Sequence, residues 1–455
     1  MRPTPLILNI QWPLAALLLL CALLLGGGQG TPGDSLCQVL AVLLIAVSLA
    51  RHWQGGDGSL PRVALLALLP LALPLLQLLP LPDSLWQAGE ARTALAAQLA
   101  SVDVDHAGRI SLVPAQTEQA MFWLLPAVAL FLAGLQFSAR QRYQLVGLLL
   151  AVMVAGTLLG FMQRAGGVDS PLQLYAITNF GNAVGFFANS NHNATFMAMG
   201  LPLVLVAMAA WVNRRTAHDQ GQVLAWLTGG MVVVLLIVGI AVARSRAGML
   251  LGMLALLLSA PAVLALRRER GTRRVLIAAV VVGLALSVQF AMFGIVQRIE
   301  QGIVDSDRLH YASKTVELAS QYSPLGTGLG GFRRAYEGFD RNPPLDGVHI
   351  NHAHNDPAEL WLEGGWLAPL VVLPLLACFL VAGWRAWRGG DSSPERLALR
   401  RAAWIAMLLV LLHSLGDYPL RTTAHLALFG MLAAFLVPAP ARARHSHRPA
   451  APATY

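Results

Sequence analysis

The sequence predicts an all-α polytopic membrane helical bundle of about twelve transmembrane helices, capped on its outer face by a long periplasmic loop, and three observations carry that prediction. Of 455 residues, 56% are hydrophobic and only 12% are charged, against about a quarter charged in an average soluble domain. The apolar residues fall in blocks of roughly 15 to 22 without Asp, Glu, Lys or Arg, the length that crosses about 30 Å of hydrocarbon at 1.5 Å per residue. The basic residues gather in alternate segments between these blocks, 20 of the 32 with almost no acids beside them, which marks those segments as cytoplasmic.

The first block, 5–26, follows Met1 and Arg2 and lacks a convincing small-x-small cleavage site, so it reads as a retained helix. Blocks 36–50 and 63–81 flank an inner segment with Arg51 and Arg62, and 120–137 and 144–162 flank Arg140 and Arg142. Blocks 194–212 and 223–243 enclose Arg214 and Arg215, whereas 247–266 and 275–294 enclose five arginines between 267 and 274. The last three, 366–384, 402–415 and 424–437, bracket a further arginine group at 385–401. Between them lie outer segments at 82–119, 163–193, 244–246 and 295–365, the last long enough to lie against the bundle as a cap. The Pro-, Ala-, Arg- and His-rich stretch 438–455 reads as a disordered basic cytoplasmic tail, which puts both termini inside. The expected division is N-terminal helices and first outer loop over 1–109, a membrane domain including loop 295–365 over 110–437, and the tail.

The net charge of +9 is a topology signal and a contact with anionic lipid, and it gives no reason to invoke nucleic acid. Cys21, Cys37 and Cys378 lie in or beside apolar blocks, which implies neither a disulfide framework nor a cysteine metal site. Ion-coupled transporters place ionisable groups near the membrane midplane, but here the blocks lack Asp, Glu, Lys and Arg near their centres. Polar residues gather instead at the outer boundary.

Four such clusters stand far apart in sequence. The first is the run Asn189, Asn191, His192 and Asn193, whose amides either cap a helix or contact sugars. Arg244 and Arg246 break the positive-inside trend at an outer turn. Two readings stay open for them: snorkelling to headgroups, or an anion clamp, since guanidinium offers a rigid fork of donors to phosphate oxygens. The third cluster is Arg308 with its following loop, and the fourth is His352, His354, Asn355, Asp356, Glu359 and Glu363. Pro357 suits a helix start with Asn355 or Asp356 as cap, so Glu359 and Glu363 fall one turn apart on one face. His354 then sits at the aqueous rim, where imidazole can act as a general base or merely cap the helix. The alternation of His352, His354 and Asp356 would suit a metal on a strand, but it stands just before a helix, and no metal is expected. The glycines of SPLGTGLGGF (323–332) lack a Gly-Lys-Ser/Thr ending and read as tight turns permitting close backbone approach.

Taken together, ISLVPAQTEQ (110–119), ANSNHNATFMAMGLPL (188–203), ARSRAG (243–248), the Arg308 segment, HNDPAELWLEGGWLA (354–368) and HSLGDYPLRTTAH (413–425) resemble the O-antigen ligase and polysaccharide polymerase superfamily. The ligase signature is a His, an Asn, Ser or Gln, nine residues, then Gly-x-x-Gly; here His354 and Asn355 precede Gly365, and Ala368 replaces the final glycine. The resemblance implies a bacterial inner-membrane enzyme that needs no cofactor. It would move a glycan from a polyprenyl-diphosphate carrier to a lipid A-core, glycan or protein acceptor at the periplasmic face. It implies His354 as the base that activates the acceptor hydroxyl and Arg244 or Arg246 with Arg308 as the diphosphate holders. Asn191, His192, Asn355, Asp356, Glu359, Glu363, Asp417 and Arg421 are possible supporting residues. A polymerase of the same superfamily remains open, as does, from another class, a glycolipid transporter or flippase with a polar site reached from both sides.

Overall fold

A computed structural model describes residues 5–55, 59–104, 108–213, 220–264, 306–339, 350–389 and 393–440, with Leu266 and Val281 besides. Among the described residues the regular secondary structure is helical, joined by turns and loops, with one antiparallel bridge between Pro80 and Arg109 besides. That follows from the apolar blocks, because backbone facing hydrocarbon must satisfy its own hydrogen bonds.

The first helices are α1 (Pro5–Leu25) and α2 (Pro32–Trp53), followed by a 3-10 turn (Arg62–Ala67) that runs into α3 (Leu68–Gln77). Next come α4 (Asp83–Trp86), α5 (Glu90–Ser101), α6 (Pro114–Leu135) and α7 (Ala139–Ala165). A central group follows, α8 (Ser190–Asn213), α9 (Gln220–Val242) and α10 (Arg246–Leu264). The later helices are α11 (Ser306–Gln321), α12 (Phe332–Phe339), α13 (Asp356–Gly364), α14 (Leu367–Arg388), α15 (Pro394–His413) and α16 (Thr423–Phe435).

Seven of these, α2, α6, α7, α8, α9, α10 and α14, are long and apolar enough to cross a membrane, and shorter apolar helices occupy Ile10–Leu25, Arg62–Gln77 and Thr423–Phe435. The expected block 275–294 lies outside the described residues, as do parts of loop 295–365 and most of the tail. The helices begin or end a few residues from most expected blocks, as at Pro114–Leu135 for 120–137 and Ala139–Ala165 for 144–162, and two of the shifts have a local cause. The block 63–81 stops as helix at Gln77, because Pro80 and Pro82 cannot continue it. The block 402–415 begins earlier, at Pro394, and its first turns carry Glu395, Arg396, Arg400 and Arg401. Two of those arginines close other helices: Arg400 Nε donates to the carbonyl of Leu436 (2.9 Å) and Arg401 Nε to that of Ala386 (3.0 Å), where cations meet the negative end of the helix dipole.

α8 is the central rod, enclosed by α9, α10 and α15, while α16 packs against α6, and α2 joins both α1 and α6. One apolar core runs from Ala15 and Leu44 through Phe196 and Leu256 to Leu409 and Phe435. Buried polar contacts close one end of the bundle. Gln11 bonds Ser48 and Gln136, Arg51 donates to Gln11 (2.6 Å), and Arg142 donates to the carbonyl of Val437 (2.6 Å). At the opposite end meet the C-termini of α1 and α15 and the N-termini of α8 and α16, and there the polar residues singled out above gather.

Over that end lies a small second core of Leu318, Phe332, Tyr336, Ala353 and Leu362. The glycine segment serves as packing turn, as expected. Thr327 and Gly328 donate to the carbonyls of Leu362 and Glu363 (3.0 and 2.9 Å), and a Cβ on Gly328, which has φ +93°, would stand 2.3 Å from the Ser111 hydroxyl.

Candidate functional site

The loop before α13 is fixed at both of its polar ends. Asn355 is the helix cap, its side-chain oxygen accepting from the Ala358 N–H (2.9 Å) while its amide donates to the Leu415 carbonyl (2.8 Å). The Asp356 N–H donates to the Ser414 carbonyl (2.9 Å). The chain is thereby pinned to the segment that joins α15 to α16, and His354, just before the cap, takes a left-handed backbone conformation with φ +50°. Such a conformation is uncommon for a residue with a side chain and persists only where the surroundings hold it.

That turn aims the His354 ring at Asp417. Nδ1 stands 3.4 Å from one carboxylate oxygen, with 24% of the His354 side chain exposed and the Asp417 side chain fully buried. The same oxygen lies 3.4 Å from His192 Nε2 and accepts the Tyr418 N–H at 3.0 Å. The other oxygen accepts from Arg308 (3.2 Å) and from the Asn191 amide (3.2 Å), and His413 Nε2 stands 3.6 Å away. Burial alone would raise this carboxyl, but His192, His354 and the Arg308 charge hold it well below the usual carboxylate range. Asp417 is therefore an anion, and Nδ1 is the ring nitrogen of His354 turned to it. Tyr418 packs edge-on against both His354 and His192, with ring centroids 5.0 and 4.9 Å apart. Burial, then the neighbouring Asp417 charge, pushes its phenol upward, so it stays neutral.

A second cluster stands beside the first, built on Arg421 in the 3-10 turn Pro419–Arg421. Its guanidinium meets Glu363 at 2.7 Å, Glu359 at 3.1 Å and Asp356 at 3.4 Å. Glu359 in turn accepts the Ala353 N–H and faces His352 Nδ1, both at 2.8 Å, and Glu363 accepts the Gly330 N–H at 2.9 Å. Burial works to raise Glu359, yet Arg421 and then His352 hold it below its ordinary value. Burial dominates at Asp356 and raises it to about 6 against the pull of Arg421. The far nitrogen of His352 meets the Gln29 carbonyl oxygen at 2.8 Å, and the Gln29 amide donates to the Arg421 carbonyl at 2.7 Å.

His352, His354 and Asp356 thus face three different partners, Glu359, Asp417 and Ser414, instead of a shared centre. Among the described residues no group of three His, Cys, Asp or Glu side chains has a metal-holding arrangement.

The structure brings together Asn191, His192, Arg308, His354 and Asp417 in one cluster and Asp356, Glu359, Glu363 and Arg421 in the other, with Asn355 as cap between them. Arg244 and Arg246 flank Ser245 in the turn from α9 to α10. Arg244 is exposed with φ +55°, Arg246 opens α10, and the turn is closed by the Ser245 hydroxyl accepting from the Gly248 N–H (3.0 Å). A Cβ on Gly248 would lie 2.4 Å from that of Ala194, so the turn is seated on α8 two residues past His192. His413, Tyr418 and Gln29 were not singled out from the sequence. His413 and Asp417 are four residues apart where an apolar block ends, and a pair of titratable residues at such a place is the signal that could have found them.

The family model described as O-antigen ligase matches residues 231–373. This match supports the O-antigen ligase and polysaccharide polymerase superfamily. A search of curated proteins found no match to the chain.

Proposed function

With an O-antigen ligase domain as the premise, and membrane polysaccharide biosynthesis as its setting, we propose that this protein is an inverting, metal-independent glycosyltransferase. It would move a glycan from a polyprenyl-diphosphate carrier to an acceptor hydroxyl at the periplasmic face of the bacterial inner membrane. One observation carries the reading: a single buried carboxylate, Asp417, faces His354 with one oxygen and Arg308 with the other.

In this reading His354 Nε2 takes the acceptor hydroxyl proton as the oxygen attacks the anomeric carbon. The bond from that carbon to the diphosphate oxygen breaks, and the electron pair leaves with the diphosphate. Asp417 orients the ring and offsets the charge it gains, a contribution of the general-base kind usually worth about 10²–10⁴ in rate. Arg308, with Arg244 or Arg246, meets the negative charge growing on the leaving group. Preorganised guanidinium groups in a partly dry site stabilise such charge without reorganising, and the carrier's polyprenyl chain stays in lipid. His192 and Asn191 keep Asp417 in place.

The test is transfer in proteoliposomes with a polyprenyl-diphosphate glycan and candidate acceptors. His354→Ala should lower turnover by about 10²-fold or more, and Arg308→Ala by a similar factor. Arg244→Ala and Arg246→Ala identify which of the pair holds the diphosphate. Full transfer by His354→Ala at equal protein level would overturn the assignment, and translocation of the glycolipid unaffected by all four changes would favour a transporter.

A further inference from the structure

Helix α11 turns one face to the rest of the protein. Thr315 and Leu318 on that face are buried, whereas Leu309 and Val316 on the other side are 70% and 51% exposed. Arg308 and Tyr311 continue the inner face toward the start of the helix, three residues apart and so neighbours about 4.5 Å from each other along the axis. Arg308 reaches Asp417. Tyr311 packs at the margin of the second core, its ring edge-on to that of Tyr336 with centroids 6.4 Å apart, but it stays half-buried where Tyr336 and Phe332 are enclosed. A further ring neighbour is His354, with centroids 6.4 Å apart and the planes inclined by 34°. His354 thus has two tyrosine rings beside it, Tyr418, which follows Asp417, and Tyr311, on the helix that carries Arg308.

A sugar ring carries hydroxyl groups around its rim and C–H bonds over its faces. A half-buried tyrosine is matched to such a face, being flat and apolar over its ring with a polar tip. We infer that Tyr311 is a sugar-binding residue, whose ring takes the apolar face of the sugar bonded to the donor's diphosphate and so sets the anomeric carbon between Arg308 and His354. The spacing suits this, because the side chain that would meet the diphosphate and the one that would meet the sugar are a single helical turn apart, as a phosphate is next to the sugar it carries. The inference rests on the transfer reading above and adds to it the residue that reads the donor's first sugar.

The test reads binding, so it does not depend on turnover. The full-length protein in nanodiscs is titrated with two probes, a polyprenyl diphosphate carrying one hexose and the same polyprenyl diphosphate without sugar. Tyr311→Leu and Tyr311→Met keep apolar bulk against Tyr336 but have no flat face. Each should weaken the sugar-bearing probe about fivefold and leave the bare one unchanged, while Tyr311→Phe, which keeps the ring, should bind both as the unsubstituted protein does. Equal weakening of the two probes would make Tyr311 a packing residue of the second core, and no weakening of either would leave it outside the site. A loss in Tyr311→Phe as large as that in Tyr311→Leu would assign the effect to the hydroxyl. Each of these overturns the inference. Arg308→Ala separates it from the reading beneath it. Weaker binding of both probes in that variant, with no sugar-dependent loss at Tyr311, would remove the sugar platform and keep the diphosphate assignment; a sugar-dependent loss at Tyr311 with full binding in Arg308→Ala would do the reverse.

Discussion

A carboxylate enclosed by protein keeps its charge only where neighbours replace the water it has lost. Asp417 has such neighbours on both oxygens. Asp417→Asn, which keeps the shape and removes the charge, should lower kcat by about 10²-fold or more with little change in KM, because the ring loses its orienting anion; kinetics with saturating donor would check this. Asp356 behaves in the opposite sense. Its folded value is raised from 3.8 to about 6, so its contribution to stability is complete below pH 3.8 and is lost as pH rises through 6. By linkage the loss is ~3 kcal/mol. Asp356→Asn should flatten the decline in melting temperature between about pH 4 and pH 6, and an unchanged decline in detergent-solubilised protein would refute that origin. At this scale the sequence was readable by residue type alone. It pointed to His354, Arg308 and Asp417, but the hub role of Asp417 was hidden, since its partners come from Asn191, His192, Arg308 and His354, brought close only by packing.

The helices act on the site through their ends. α13 is capped by Asn355 and held by Arg421, and Arg421→Ala would leave three enclosed carboxyl groups without their cation. Breaking a buried pair in this way costs about 3–5 kcal/mol, which thermal unfolding should register, with Arg421→Lys recovering part of it. The exchange of glycine for Ala368 also has a local explanation. Ala368 is buried, and a Cβ on Gly364 would meet its methyl at 2.6 Å, so the alanine is accommodated because Gly364 facing it has no side chain. Gly364→Ala should destabilise by about 1–3 kcal/mol, and Gly364→Ala with Ala368→Gly should restore the melting temperature. Helix positions were legible because apolar block length has one physical meaning in a membrane. Their ends were less so at 63–81 and 402–415, where prolines and a charged first turn, not hydropathy, decide where the helix stops or starts.

Across the whole molecule, the cation-rich and histidine-rich ends stand apart. With cysteines replaced and single probes introduced, Ile177→Cys should react with an impermeant thiol reagent from outside intact spheroplasts, and Gln54→Cys only after permeabilisation. The reverse pattern would put His354 in the cytosol and end the proposed chemistry. The proposed mechanism, in which guanidinium charge meets the leaving group, requires that transfer persist after exhaustive chelation; loss restored by one divalent ion would contradict it. The clustering of remote polar segments at one rim was legible from their position at block ends, whereas the apolar trough between the 3-10 turn Arg62–Ala67, α6, α14, α15 and α16 was not, because it is made of apolar residues indistinguishable in sequence from any lipid-facing wall. The turn between α1 and α2 adds a consequence for protein engineering. Gln29 holds both His352 and the Arg421 carbonyl, and the Asp34 carboxylate accepts from the Thr423 hydroxyl at 2.6 Å, so the first hairpin props up the polar rim from outside the stretch 231–373. A chimera that transplants only that stretch into a relative would inherit a foreign prop, and its grafted histidines would settle correctly only if the recipient's own opening hairpin came from the same donor.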